Sequence, residues 1–585
     1  METNLFPIIG QEPLPNVVET VIDTDALDMT AVNPVLQTNR DADITKHFPF
    51  PTIREAQSQA LATVVESRKL NKKFTLIEAP TGVGKSGIAM ATASWAKTQD
   101  APPEFQNGAY VLSTQKTLTK QYMRDFKEIG LLELKGRANY YCASHNTDCG
   151  SAAHLQGDDP EENCGKRGIC GYSNDKKVFI DSPVGVTNFS YYLTETMYAG
   201  QLKPRNYLVL DECHNVENQI LGFTDTEFTQ ERAAELEVKL PLLIPGESKN
   251  LAVALKWFET DCYPKLVEYI RDLEAQMLQA DDRDEKIALS KKFMAWQNFK
   301  MRLDMFITTD KPQDWIAFSD VKLNRDGEIY GGTRNLIIKP LTATLFADKL
   351  MFSKAANIVM MSATILDFKT FMRNLGIDAD QANTMAVPSE FPLENRPIFY
   401  KPIANMGYKT KKQALPLVVK AIFDLTTKKY ADKKGIIHAQ SYENLKAIKE
   451  YFEANGQAHR LITHTSLPGS REDAVARHCS SPEPTVILSP SMTEGLDLKD
   501  DLSRFQIIPK VPYPALDPYT KARMDRDGDW YQWQTALTLI QATGRSVRSK
   551  TDRAATWILD EGFTQFISKN ESKLPKWWTD SIEFR

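Results

Sequence analysis

Ala79-Pro80-Thr81-Gly82-Val83-Gly84-Lys85-Ser86 stands between an apolar run, Phe74–Glu78, and a helix-forming stretch, Gly87–Lys97. Residues of these types at this spacing bind phosphate. Glycines let successive backbone N–H groups close around an anion, and the start of the following helix adds its positive end. Lys85 would neutralise the β- and γ-phosphates of ATP, and Ser86 would hold Mg2+. A second apolar run, Tyr207–Leu210, ends in Asp211-Glu212-Cys213-His214. Asp211 would coordinate the same Mg2+, while Glu212 would orient and deprotonate the attacking water. Phosphoryl transfer needs positioning and charge control more than covalent chemistry. Farther on, Gln541-Ala-Thr-Gly544-Arg545-Ser-Val-Arg548 carries two arginines three residues apart. They are predicted to share one helical face and to reach a bound γ-phosphate across a cleft, as arginine fingers do. Alone, the acids would read as a solvated strand end and the arginines as a basic helix face; the phosphate loop makes them a set.

Four of the seven cysteines, Cys142, Cys149, Cys164 and Cys170, fall within 29 residues. That clustering points to metal or cluster ligation and away from a disulfide framework. The gaps of six, fourteen and five residues contain no tight CxxC pair of the kind zinc prefers. His145 and His154 nevertheless leave a mixed Cys/His zinc site open. Cys213, Cys262 and Cys479 are scattered and read as structural.

These groups must be held by α/β architecture. A chain of 585 residues exceeds one core, so two to four domains are expected. From Phe48 onward, strand-like runs (Phe74–Glu78, Tyr110–Ser113, Tyr207–Leu210, Ile358–Met361) alternate with helical stretches, as in parallel sheets covered on both faces. A second α/β series begins near Arg396, with strands at Gly435–Ala439 and Thr485–Ser489 and a helix at Tyr442–Asn455. Two segments interrupt the alternation. Residues 136–178 are rich in Cys, Gly, Asn and Asp and read as a small metal-held insertion; residues 221–345 read as an amphipathic helical insertion. Residues 1–45, with eight acids and one base, read as a mostly irregular acidic lead-in. The net charge of −5 gives no global signal for nucleic acid, but affinity depends on local basic stripes. No apolar run is long enough to span a membrane and no signal peptide is apparent, so no membrane partner and a cytoplasmic location, nucleoid-associated if bacterial or viral, are expected.

In this order the stretches resemble superfamily 2 helicases, and within them the XPD/DinG iron–sulfur family. Phe48–Gln57 resembles the family's adenine-side motif, with Gln57 as base reader, and Ser113–Leu118 is similar to a motif that contacts the nucleic-acid backbone. Asp211–His214 resembles a DEAH-type box with Cys in place of Ala. Ser362-Ala-Thr364, Glu494-Gly-Leu-Asp497-Leu and Gln541–Arg548 are similar to the later motifs, which adds Asp497 to the nucleotide site and Gln541 to the catalytic set. The resemblance implies two RecA-like motor domains, 46–135 with 179–220 and 346–390, and 391–585. It further implies a 4Fe–4S cluster insertion at 136–178, held by Cys142, Cys149, Cys164 and Cys170, and a helical arch at 221–345.

By the same resemblance the chain is expected to be an ATP-dependent helicase, monomeric, acting on single-stranded and forked DNA with 5′→3′ polarity. Tyr140, Tyr141, Tyr172 and Phe179 would stack on bases or simply pack the cluster segment. Lys166, Arg167, Lys176 and Lys177 would track phosphates or form a solvated face. Two alternatives stay open: a translocase that strips proteins or RNA from DNA, and a nucleotide-gated regulatory subunit.

Overall fold

The computed structural model describes residues 42–585 apart from 115, 153–167, 325, 390, 468, 491–497, 499, 545 and 548. The acidic lead-in therefore lies outside the described residues except for its last turn, a short helix at Ala42–Thr45.

The first half is built on a seven-stranded parallel sheet. Its order is Ala382–Ala386, Phe74–Glu78, Ala355–Ser362, Arg205–Asp211, Gln106–Ser113, Val184–Asn188 and Leu132–Glu133. The central strands Phe74–Glu78 and Arg205–Asp211 are buried along their whole length, as expected where helices cover both faces. Register places Glu78 opposite Ser362 and Met361 opposite Asp211. Three strands separated by long stretches of sequence thus end on one edge, the edge where open α/β sheets bind ligands.

The phosphate loop leaves that edge from Glu78. Gly82 and Gly84 adopt φ of 89° and 87°, a region closed to side chains without strain. Helix Lys85–Ala96 starts directly on Gly84, two residues earlier than the sequence pattern predicts.

A second seven-stranded parallel sheet forms the other half. It runs Leu461–Thr463, Val486–Ser489, Gly435–His438, Phe505–Ile508, Ala555–Asp560, Ile398–Ala404 and Ile582–Phe584. The halves meet through helices Pro518–Arg526 and Gly528–Thr543. Trp530, Trp533 and Leu537 of the second half belong to the first half's hydrophobic core. Trp533 Nε1 donates to Ile365 O at 2.9 Å, and Arg373 pairs with Asp527 at 2.7 Å.

Between the paired strands Arg205–Asp211 and Ala355–Ser362 the chain runs through more than helices. Tyr263–Gln279 and Arg283–Ile307 form a long helical pair, broken where Asp282 caps the second helix by accepting from Glu285 N at 2.8 Å. The same region holds a three-stranded antiparallel sheet of Thr226–Phe228, Leu336–Pro340 and Trp315–Ser319, where the sequence pattern predicts helix. Leu336–Pro340 alternates between buried and half-buried residues, but five residues are too few to announce a strand beside strong helical periodicity.

Helix Gly528–Thr543 ends at Thr543, and Ser546 and Val547 are not helical. Gly544 follows as the cap. Arg545 and Arg548, like Cys164 and Asp497, lie outside the described residues.

Candidate functional site

The phosphate loop, Asp211 and Glu212 come together at the carboxyl edge of the first sheet. Ala79 N donates to Ser362 O at 2.8 Å, tying the loop's start to the neighbouring strand. Lys85 Nζ lies 3.3 Å from Ala79 O and 4.0 Å from Glu212 Oε1. Glu212 is held at φ 53°, a left-handed conformation that a non-glycine residue adopts at some cost, and its carboxylate remains about one-third exposed toward the cleft. Asp211 is buried; its Oδ2 accepts from Tyr122 Oη at 2.8 Å and its Oδ1 from Glu212 N at 2.9 Å. Tyr122 gave no sequence signal, because one aromatic on the buried face of a helix looks like core.

Gln57 does not stand open in the cleft. It is buried, its Nε2 donates to Val83 O at 2.8 Å, and its Oε1 accepts from Arg54 N at 2.9 Å. A Cβ on Gly84 would lie 2.5 Å from that Nε2, so Gln57 braces the loop against a position only glycine can fill. Beside it a cavity of about 310 Å³ opens between the halves, lined by Arg54, Thr81, Gly82 and Val83 on one side and Phe391, Ser549 and Lys550 on the other.

A chain of contacts runs from the loop into the second half. Glu212 Oε2 lies 3.4 Å from His214 Nδ1, which is 2.7 Å from Ser362 Oγ. Ser362 Oγ accepts from Thr364 N at 3.1 Å, and Thr364 Oγ1 accepts from Gln541 Nε2 at 3.1 Å. Residues from three separate motifs are thereby connected across the domain boundary.

Burial and the charge of Glu212 push the Asp211 carboxyl up to about 6, against the pull of Lys85 and the Tyr122 hydroxyl. In the unfolded chain the same group ionises near its ordinary 3.8. Between those values the unfolded state holds fewer protons, so stability falls as pH rises, and the penalty is complete above about 6. Two results are expected. Free of nucleotide and metal, the protein should lose stability as pH rises toward about 6, where Asp211 takes on its charge. Asp211→Asn should abolish hydrolysis yet raise the nucleotide-free melting temperature at neutral pH by about 2–4 °C. A lower melting temperature in that variant would mean that the ionised carboxylate stabilises the fold.

The cysteine segment is partly assembled. Tyr141–Cys142 and Thr147–Asp148 form a small antiparallel pair, Cys149 opens helix Cys149–Ala152, and Cys170 caps helix Gly171–Asp181. Cys142, Cys149 and Cys170 are buried free thiols. Burial and the adjacent Cys170, with which its thiol is hydrogen-bonded, push the Cys149 thiol up to about 12; Cys142 lies near enough to add to the effect. Among the described residues no three donors close tightly enough to hold a metal ion. Ser290 Oγ on the long helix Arg283–Ile307 donates to Ser151 O at 3.2 Å, so this segment packs against the helical pair.

Around it the aromatic and basic residues divide. Tyr172 and Phe179 are buried core, whereas Tyr141 is exposed. Lys176 is no phosphate-tracking rim: it is buried and paired with Glu195 at 2.7 Å. Glu195 also accepts from the hydroxyls of Tyr172 and Tyr191, each at 3.1 Å. Lys177 is exposed.

Two family models match the chain: a helicase C-terminal domain over residues 425–581 and the res subunit of type III restriction enzymes over residues 50–237. The ATP-dependent DNA helicase DinG of Photobacterium profundum is 23% identical over 257 residues, which cover 41% of this chain and 36% of that relative. The ATP-dependent DNA helicase YoaA of Escherichia coli is 21% identical over 617 residues, covering 89% of this chain and 93% of the relative. Among solved structures, an XPD helicase superposes with a TM-score of 0.62 at 15% identity, covering 92% of this chain and all of that one. Among the described residues no helix is long and apolar enough to cross a membrane.

Proposed function

We propose that this chain, an XPD/DinG-like superfamily 2 helicase, couples ATP hydrolysis between its two RecA-like halves to movement along single-stranded DNA and to the opening of forked duplexes. The observation that carries the reading is the run of contacts from Lys85 through Glu212, His214, Ser362 and Thr364 to Gln541. A hydrolysis site that only gated a scaffold would not need its water-activating carboxylate wired to the opposite domain.

In this reading ATP lies along Ala79–Ser86, with its base toward the cavity beside Gln57 and Arg54. Ser86 and Asp211 would hold Mg2+. Lys85 binds the β- and γ-phosphates, and Glu212 orients the attacking water and accepts its proton. Arg545 and Arg548, with Gln541 and Asp497, would complete the site from the second half. Loss of the γ-phosphate relaxes the grip on those residues, and the contact at Thr364 passes the change to the domain interface.

Residues 46–135, 179–220 and 346–390 would form the first motor domain and 391–585 the second, with a cluster insertion at 136–178 and an arch at 221–345. Cys142, Cys149, Cys164 and Cys170 would hold a 4Fe–4S cluster; buried, unbridged thiols are the donor chemistry such a cluster takes. Bound there, it would supply a covalent cross-link between short elements that have little core of their own. The protein would act as a cytoplasmic monomer.

The test pairs two measurements on the full chain. ATP hydrolysis should rise on adding single-stranded DNA, and forked duplexes carrying a 5′ tail should open in preference to those with a 3′ tail. Hydrolysis indifferent to DNA would sink the reading, and hydrolysis stimulated without unwinding would replace it with a translocase. Protein purified without oxygen should show the broad visible absorption of a thiolate-bound cluster; colourless protein with stoichiometric zinc would overturn that assignment.

A further inference from the structure

Glu78 is a buried carboxylate with no part in the hydrolysis described above. It ends strand Phe74–Glu78 and stands directly before Ala79, where the phosphate loop begins. Burying a carboxyl group is costly unless donors answer it. Here two do. Its Oε2 accepts from the backbone N–H groups of both Ile365 and Leu366, the residues that follow Ser362-Ala-Thr364. Burial pushes the carboxyl pKa up, and these two donors pull it back down.

The turn that Glu78 grips is strained. Leu366 is held at φ 65°, a left-handed conformation that a bulky side chain adopts only at a cost. Such a turn keeps its shape while neighbouring groups hold it, so removing an anchor can release it. Two hydrogen bonds from helix Gly528–Thr543 land on the same three residues. Gln541 Nε2 donates to Thr364 Oγ1 at 3.1 Å, and Trp533 Nε1 donates to Ile365 O at 2.9 Å. The Leu366 side chain packs against the hydrophobic cores of both halves.

The main chain of Glu78 adds another tie. Its O accepts from Val387 N at 2.8 Å, where the chain leaves the first sheet toward strand Ile398–Ala404 of the second. One residue thus touches the start of the phosphate loop, the strained turn and the exit to the other half. A shift of the loop at Ala79 bears on Glu78 one peptide bond away. Through the Glu78 carboxylate it bears on the surface that the second half engages.

We propose that Glu78 is a positioning residue that couples the phosphate loop to the second half, its carboxylate holding the turn at 364–366 in the shape that Gln541 and Trp533 engage. A strained turn on a buried anchor suits that task, because packed cores convert a small movement of the anchor into a choice between discrete shapes. Its purpose rests on the helicase reading, within which Glu78 carries the state of the nucleotide across the domain boundary.

The experiment uses the full chain and hydrogen–deuterium exchange with and without adenylyl imidodiphosphate, a non-hydrolysable ATP analogue. In the unaltered protein the analogue should slow exchange both at the phosphate loop and in helix Gly528–Thr543. Glu78→Ala should keep the first response and reduce the second by about 10-fold. Glu78→Gln, which keeps an acceptor for both N–H groups, should stay within about 3-fold of the unaltered protein. Stimulation of ATP hydrolysis by single-stranded DNA should fall about 10-fold in Glu78→Ala, with KM for ATP within about 3-fold. An undiminished helix response in Glu78→Ala, or no helix response in the unaltered chain, would overturn the proposal. Equal loss at loop and helix would also overturn it, since Glu78 would then serve nucleotide binding. So would Glu78→Gln coupling as poorly as Glu78→Ala, because the charge and not the acceptor would then matter. Should Glu78→Ala not fold, Trp533→Phe decides: it loosens the same turn from the other side, and a helix response left intact in it overturns the coupling. If both responses appear in the unaltered chain yet hydrolysis ignores DNA, the helicase reading fails and the coupling stands.

Discussion

Replacing Glu212 by Gln is expected to reduce ATP turnover by about 10²–10⁴-fold while nucleotide binding stays unchanged or tightens. The carboxylate sits at the mouth of the phosphate loop, 4.0 Å from Lys85 Nζ and 3.4 Å from His214 Nδ1. It is partly exposed, so water can reach it, and its left-handed backbone aims it off the end of the strand instead of along it. Glutamine has the same shape and can still bond to His214, but it cannot accept a proton from water. Its neutrality also removes a negative charge from beside the incoming γ-phosphate, which is why affinity should hold or rise. Single-turnover hydrolysis and titration with a fluorescent nucleotide separate the two effects. Hydrolysis within a few-fold of the unaltered rate would take the general base away from Glu212; lost binding would make its role structural.

Arg523→Met should destabilise the protein by about 3–5 kcal/mol and lower its melting temperature by about 2–4 °C. Arg523 and Glu217 form an ion pair that is almost fully buried between the halves. Glu217 lies in the helix directly after the Asp211–His214 strand end, and Arg523 in the first of the two helices that lead to Gln541. The guanidinium also lies 4.4 Å from the ring of Trp530 and donates to Tyr519 Oη at 3.3 Å. Methionine would fill much of the space and leave the Glu217 carboxylate buried without its cation. Burial already raises that carboxyl's pKa against the pull of Arg523. Adding Glu217→Gln should therefore restore more than half of the lost stability, measured by thermal denaturation. A double variant no more stable than Arg523→Met alone would assign the loss to packing on Trp530 instead.

The phosphate loop was legible because its structure is local. Two glycines with positive φ, a lysine and a serine at the start of a helix need only a strand before them, and the apolar run Phe74–Glu78 provides it. Asp211 and Glu212 were legible for the same reason, as the polar end of a buried strand. The pattern failed where burial overrode it. Lys176 looked like one more surface lysine in a basic stretch, yet folding buries it against Glu195. Its charge alone gave no sign of that, since the partner arrives from a different helix.

By itself the sequence determined the chemistry: which residues can grip phosphate, which carboxylate can take a proton, and which thiols are available in one short segment. Tertiary structure alone decided which of these groups meet. Gln541 reaches Thr364 across 177 positions, and Arg523 reaches Glu217 across 306. Such contacts have no local signature, because they follow from how two sheets and their covering helices pack as whole bodies.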